Sequence, residues 1–265
     1  MACRFLSPAL LALASGAAGA QALAAPDLSW GVSAGVQHRR LVERADDGRR
    51  LVEESGPMLR LALDGALKLQ GGGALQAGAG LAGGTLDYEG RTQAGAPLAT
   101  DSRHRDLALS FGWRPWAPAS WGEAWLVLRA VQQRRDIAST ATVTGLRETS
   151  TLVMPGVRWT GSFDAARWRL RPAAELRTSA WHRLHVDYRG LYDAQDLDGG
   201  HRNELSLVLD ASTAASPWSW SFEWTRARQA ASERAPLTRG GAAAGTVRQP
   251  RIEIDDVMLR VRRAF

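Results

Sequence analysis

The sequence predicts an all-β protein: a single antiparallel transmembrane β-barrel of about ten strands, of the outer-membrane type. Three observations support this. Apolar and polar residues alternate from residue 28 onward, several alternating segments are longer than ten residues, and short and long connections follow one another in turn. Strands of soluble proteins usually have about five or six residues, whereas a tilted strand needs about ten to cross a bilayer.

Ten strands are expected, near 28–43, 51–69, 74–88, 104–116, 122–137, 146–160, 167–188, 202–212, 217–229 and 251–265. Short turns are expected at 71–73, 117–120, 161–165 and 213–217, and longer loops at 44–50, 89–103, 138–146, 189–201 and 230–250. Short periplasmic turns and long extracellular loops are typical of outer-membrane barrels, as is an even number of strands.

The residues before the barrel have the features of a Sec-type signal peptide. Arg4 precedes an apolar segment over 5–14, and small residues follow, so cleavage is expected after Ala22 or Ala25. Cys3 would be removed with this segment, which leaves the mature chain without a thiol or a disulfide. The expected organisation is a signal peptide over 1–25 and a barrel over 26–265, located in the outer membrane of a Gram-negative cell.

Composition narrows the classes of function. The 265 residues are 45% hydrophobic, which is enough for a folded domain. The net charge of +6 is spread along the chain, so no nucleic-acid partner is expected. The five His residues do not lie at metal-ligand spacing, so no metal and no other cofactor is expected.

Aromatic and charged residues indicate which way the strands face. Six tryptophans beside the short turns predict an aromatic belt at one membrane interface. The alternatives are a Trp-rich core and a sugar-stacking platform. These six residues are Trp113, Trp116, Trp121, Trp159, Trp168 and Trp218. The chain closes on an alternating strand with a terminal Phe265, although Arg263 lies on its apolar face.

The charges expected on the inner face are of both signs, so they should pair and fill the lumen rather than line a channel. They are Arg60, Asp64, Arg129, Arg158, Arg169, Arg171, Glu175, Arg177, Glu204, Asp210, Glu223, Arg260 and Arg262.

Four stretches resemble, in family order, the omptins, the ten-stranded outer-membrane proteases of Gram-negative bacteria. They are the hairpin over 39–52 with its Asp-Asp-Gly-Arg turn, the Asp-Ser-Arg-His segment at 101–104, Met154-Pro155 followed by Thr-Gly-Ser at 160–162, and Ser179-Ala-Trp181. The resemblance covers most of the barrel and implies a monomeric surface endopeptidase of aspartic type that acts on polypeptides.

The resemblance also implies a catalytic site. In omptins an Asp-x-Asp pair faces an Asp-x-His pair, and together they activate a water molecule. Asp87 and Glu89 resemble the first pair. Asp187 matches the acid of the second pair, but Arg189 stands where the His is expected, so His185 would serve in reversed order. A His base oriented by a carboxylate is suited to that chemistry.

The direction of these side chains decides whether they can meet. His185 and Asp187 share one strand face and are expected to point into the lumen. In a regular strand, Asp87 and Glu89 lie on the same face as Leu75, which is expected to face outward. They reach the lumen only if a bulge forms at 83–84 or the strand ends there. The alternative is that all four are solvated charges at the rim of the barrel.

Omptins need lipopolysaccharide, so outer-membrane lipid and lipopolysaccharide are expected partners, held by Arg134, Arg135, Arg226 and Arg228. Two other functions stay open: a catalytically inactive barrel in adhesion, binding or envelope structure, and a lipid-modifying enzyme, which needs a Ser and a His together on an outward rim. Ser102 and His104 lie close together beside Asp101, but the intervening Arg103 argues against a nucleophilic triad.

Overall fold

The computed structural model describes residues 27–91, 95–141 and 143–265. The predicted signal peptide over 1–25, including Cys3, lies outside the described residues. In the described part, helical structure is confined to one turn at Gln70–Gly72, and no helix is long and apolar enough to cross a membrane.

Fifteen strands occur in the described residues. They are β1 Leu28–Arg44, β2 Arg50–Lys68, β3 Ala74–Arg91, β4 Pro97–Arg114, β5 Glu123–Ile137, β6 Arg147–Thr160, β7 Phe163–Ala165, β8 Trp168–Thr178, β9 Trp181–Asp187, β10 Gln195–Asp198, β11 Arg202–Thr213, β12 Trp218–Gln229, β13 Ala235–Arg239, β14 Ala242–Val247 and β15 Arg251–Ala264.

The sheet closes on itself. Strand β1 pairs antiparallel with β2 and β15, and β6 pairs with β8, which joins the two ends of the strand order. Strands β8 and β9 both pair with β6, so they form one wall strand, and β10 and β11 continue one another beside it. With these two composite strands, the described residues form a closed antiparallel barrel of ten strands. The predicted fold class is confirmed.

The outer face carries the apolar residues of each strand. On β2, Leu59, Leu61 and Leu63 are 53–70% exposed, whereas the intervening side chains face the lumen. This band is what a lipid-facing surface requires, since each such side chain gains about 1.5–3 kcal/mol on leaving water. Five of the six tryptophans predicted to form a belt are exposed at the short-turn end, namely Trp113, Trp116, Trp121, Trp159 and Trp218.

The last strand is held by aromatic contacts at the same end. Phe265 stacks on Trp30 with ring centroids 4.2 Å apart. The Arg263 guanidinium lies 4.9 Å from the Phe265 centroid and 5.6 Å from the Trp218 centroid. Cation–π contact therefore accounts for a basic residue on the apolar face of β15.

The long-loop end contains more strand than predicted. Strand β3 runs to Arg91 and β4 begins at Pro97, so most of the predicted loop 89–103 is strand. The predicted loop 230–250 contains the hairpin formed by β13 and β14. By the usual arrangement of such barrels, this long-loop end is the extracellular end.

The predicted single strand over 167–188 is interrupted at Ser179 and Ala180. Arg177 pairs with Gly156 of β6, and Trp181 pairs with Val153 of β6. The three residues 178–180 therefore lie opposite only two residues of β6, 154 and 155. This is a β-bulge, and the extra residue exchanges the inner and outer faces between β8 and β9.

Candidate functional site

Asp87 and Glu89 lie on the outer face of β3. The pairing of β3 with β2 has one register throughout, from Leu59 opposite Gly83 to Ser55 opposite Asp87. The intervening side chains of Leu86 and Tyr88 are buried inside the barrel. The bulge that would turn Asp87 and Glu89 inward does not form.

A close approach of two strands explains the regular register. A Cβ atom on Gly84 would overlap the Pro57 carbonyl oxygen and the backbone of Met58. Glycine thus lets β2 and β3 pack tightly here without an extra residue in either strand.

His185 and Asp187 lie on the outer face of β9, and the expectation that they point into the lumen is wrong. The bulge reverses the parity, so Leu184 and Val186 are the buried inner residues. His185 Nδ1 lies 3.0 Å from Asp196 Oδ1 on β10. The Asp187 carboxylate accepts the backbone N–H of Arg189 at 2.8 Å, which closes a turn.

The four predicted site residues are not brought together. Strands β4, β5 and β6 lie between β3 and β9 in the sheet. At about 4.8 Å per strand, the two pairs are about 19 Å apart along the wall. A water molecule held between the two pairs would need contacts of about 3 Å, so this arrangement does not form the omptin-type site.

The lumen near the extracellular end holds a buried ionic cluster that the sequence did not predict. We call Glu43, Glu54, His104, Arg135 and Glu148 the upper cluster. The Glu54 carboxylate is 0% exposed and lies 2.6 Å from His104 Nε2 and 2.7 Å from Arg135 Nε. Arg135 also donates to Glu43 and, at 2.9 Å, to Glu148.

Two of these residues had different expected roles. Arg135 was expected among the outward basic residues, but it alternates with the outward Arg134 on β5 and so faces the lumen.

Ser102 Oγ does lie 3.2 Å from His104 Nε2, but this nitrogen also contacts Glu54. A triad needs separate ring nitrogens for the hydroxyl and the acid, so these three residues do not form one.

Charges of both signs also fill the middle of the lumen, as predicted. Glu204 accepts from Arg129 at 3.2 Å and from Arg202 at 3.1 Å, and it also pairs with Arg177. Arg39 bridges Asp106 at 2.9 Å and Asp256 at 3.0 Å. A cavity of about 40 Å³ among these groups has room for about three water molecules.

One Ser–His pair was missed. Ser150 on β6 and His182 on β9 both face the lumen, with Ser150 Oγ 2.6 Å from His182 Nε2. His182 Nδ1 lies 2.9 Å from the Gly200 carbonyl oxygen. No sequence motif joins residues 32 positions apart, and the strand parity read from the sequence places His182 on the outside.

The extracellular loops are tied to one another. The Asp193 carboxylate accepts the backbone N–H groups of Gly240 and Gly241, each at 3.0 Å, at the tip of the β13–β14 hairpin. Hydrogen bonds from Gly241, Thr238 and Gly240 lower the pKa of Asp193. Arg248 pairs with Asp46 and lowers the pKa of that carboxyl, which links the hairpin to the first loop.

No group of three or more side chains able to bind a metal ion lies together among the residues that the structure describes.

Comparison with known proteins gives a fold and no family. No family model and no curated protein matches the sequence. Among solved structures, the outer membrane protease OmpT of Escherichia coli superposes with a TM-score of 0.52 at 12% identity, over 92% of this chain and 99% of that one. The translocator domain of the autotransporter NalP of Neisseria meningitidis gives a TM-score of 0.50 at 10% identity, over 89% and 88%. At these identities the likeness establishes that the chain has the fold of outer-membrane β-barrels.

Proposed function

We propose that this chain is a non-conducting outer-membrane barrel that binds an extracellular ligand at its loop-lined mouth. This is the binding alternative drawn from the sequence, and it replaces the omptin-type endopeptidase as the leading function. The ionic filling of the lumen supports the absence of conduction, and the outward direction of all four predicted catalytic residues argues against the peptidase. The loops that are fastened to one another at the mouth supply a surface for the ligand.

The filled lumen argues against transport. The upper cluster crosses the inside of the barrel from β1 and β2 to β5 and β6, because Arg135 joins Glu43, Glu54 and Glu148. Separating these groups would leave buried charges without partners, at a cost of several kcal/mol for each ion. A solute that crosses the whole barrel would have to break both this cluster and the ion pairs below it.

The outward band and the aromatic belt support insertion in an outer membrane. Lipopolysaccharide remains a proposed partner, with phosphates held by Arg134, Arg226 and Arg228; Arg135 is no longer included because it faces the lumen. Folding yield with and without added lipopolysaccharide, compared for the wild type and Arg228→Ala, tests this partner.

Single-channel recording in planar bilayers tests the proposed closure. The refolded wild type should give no open-channel conductance. The double variant Glu54→Ala/Arg135→Ala should still block, because the ion pairs of Arg39 and Arg177 below the upper cluster remain. Conductance should appear when Arg39→Ala and Arg177→Ala are added to it. A stable open conductance of the wild type would contradict the proposal and would favour a channel.

A further inference from the structure

We infer that Ser150 and His182 form a serine-type hydrolytic pair that acts on short-chain acyl esters entering from the extracellular mouth. This inference goes beyond ligand binding. The two ideas can be tested separately, because hydrolysis and acylation measure the serine chemistry, whereas conductance measures the closure of the barrel.

Hydrogen bonding sets the protonation of the His182 ring. The Gly200 carbonyl oxygen 2.9 Å away can only accept, so Nδ1 of the neutral ring carries the proton. Nε2 is then an acceptor, and the Ser150 hydroxyl donates to it at 2.6 Å. A serine hydroxyl hydrogen-bonded to a base, with the base oriented by a third group, is the arrangement that activates a serine nucleophile.

The fold holds the ring in this orientation. The bulge at Ser179 and Ala180 turns His182 into the lumen, where it is 7% exposed. A Cβ on Gly199 would overlap the ring, so only glycine leaves room for it there. Ser150 itself is half-buried.

A positive group lies beside the pair. Gln133 is directly opposite Ser150 in the pairing of β5 and β6, and Arg202 donates to Gln133 Oε1 at 2.8 Å. Arg202 Nε is buried and has no hydrogen-bond partner among the described residues. Arg202 also pairs with Glu204 at 3.1 Å, so its charge is partly balanced, and its remaining N–H groups would stabilise the negative oxygen that develops at the attacked carbonyl.

The size of the cavity indicates the substrate class. Gln133, Arg202 and Leu152, the next inward residue after Ser150 on β6, line the cavity of about 40 Å³. Ser150 and His182 do not line this cavity themselves, but it is small and lies next to them, so we expect a short acyl group to be accepted more readily than a long acyl chain.

The reaction has two balanced steps. Ser150 Oγ bonds to the ester carbonyl carbon while His182 Nε2 takes the hydroxyl proton, and the alcohol leaves with that proton as the carbon–oxygen bond breaks. Water then attacks the acyl-serine, His182 takes a proton from it, and the acid leaves as Ser150 regains its proton.

The chain contains a matched control in Ser102. Its hydroxyl also lies near a His Nε2, at 3.2 Å, but Ser102 is 0% exposed and Glu54 occupies the same nitrogen. Ser102 should therefore be unreactive, although it resembles Ser150 in its neighbours.

The experiment treats the refolded full-length barrel with a fluorophosphonate probe, maps the adduct by mass spectrometry and follows hydrolysis of p-nitrophenyl acetate. The adduct should form on Ser150, disappear in Ser150→Ala and persist in Ser102→Ala. His182→Gln should lower the hydrolysis rate by about 100-fold or more, and Gly199→Ala should also lower it. The acetate should react at least about 10-fold faster than the octanoate, given the size of the cavity.

The absence of an adduct on the folded wild type, or its persistence in Ser150→Ala, would overturn the inference. A gel shift on heating confirms the folding of each variant. If Ser150→Ala does not fold, Ser150→Cys serves instead. Its alkylation rate should rise with pH with an apparent thiol pKa below that of a free cysteine, and the double variant with His182→Gln should return to the pH profile of an ordinary thiol. An ordinary thiol profile of Ser150→Cys alone would overturn the inference.

Discussion

The direction of single side chains decides the chemistry of this barrel. Glu53 and Glu54 are neighbours on β2, but Glu53 faces outward beside Arg40, and Glu54 is enclosed by His104 and Arg135. In the same way, Arg134 faces outward on β5, and its neighbour Arg135 faces the lumen. Charges that look equivalent in the sequence therefore differ in burial and in the number of their partners.

Glu54→Gln should lower the free energy of unfolding by about 3 kcal/mol, because it removes one member of a buried ion pair. The loss is limited because Glu43 and Glu148 still hold Arg135. Urea unfolding of the folded barrel measures the change. The control Glu53→Gln, at an outward ion pair, should change the stability by less than about 1 kcal/mol. Equal effects of the two variants would contradict the assigned facing.

Asp87→Ala and Asp187→Ala should leave any cleavage of a dibasic fluorogenic peptide within about twofold of the wild type, because both side chains are outside the lumen and lie about 19 Å apart along the wall. The assay uses the refolded barrel with lipopolysaccharide added. Loss of a wild-type activity in both variants would restore the omptin-type site, since removing a general acid or base costs at least about 100-fold.

At the level of elements, the bulge between β8 and β9 has the largest consequence. One extra residue turns His182 inward and His185 outward, and so removes one predicted site while forming another Ser–His contact. The β13–β14 hairpin is the second such element. Its tip is bonded to the 188–194 loop by the Asp193 carboxylate, and the Asp193 backbone N–H also donates to the Thr238 carbonyl oxygen.

Acidification should loosen the tip of this hairpin. Its hydrogen bonds lower the pKa of folded Asp193 below the unfolded value of about 3.9. The stabilisation is therefore complete above about pH 4 and is lost as the pH falls through the folded pKa. Hydrogen exchange of the Gly240 and Gly241 amides, corrected for its intrinsic pH dependence, should show this loss of protection. In Asp193→Asn the protection should already be low at neutral pH; unchanged protection would refute the assignment.

At the level of the whole molecule, the barrel presents an apolar band to lipid and closes its lumen with ion pairs. Ala79 and Ala99 lie on the outer faces of β3 and β4, one within the band and one at the extracellular rim. Replacing each of these two alanines with Arg tests where the apolar band lies on the barrel.

Ala79→Arg should destabilise the barrel folded in lipid vesicles by about 2–4 kcal/mol, whereas Ala99→Arg should cost about 0–1 kcal/mol, because the penalty for a lipid-facing Arg falls towards the interface. Denaturant titration in vesicles gives both values. A larger cost at Ala99 than at Ala79 would mean that the band is placed wrongly.

The sequence by itself determined the fold class, the approximate strands and the opposed charges of the lumen, because a two-residue period assigns each side chain to one of two faces. Pairs such as Glu54 with Arg135, or Ser150 with His182, join residues far apart in the chain. Only the tertiary structure decided these pairs, because they depend on the strand register. A single inserted residue, such as the one at Ser179 and Ala180, reverses the facing of everything that follows it in the strand.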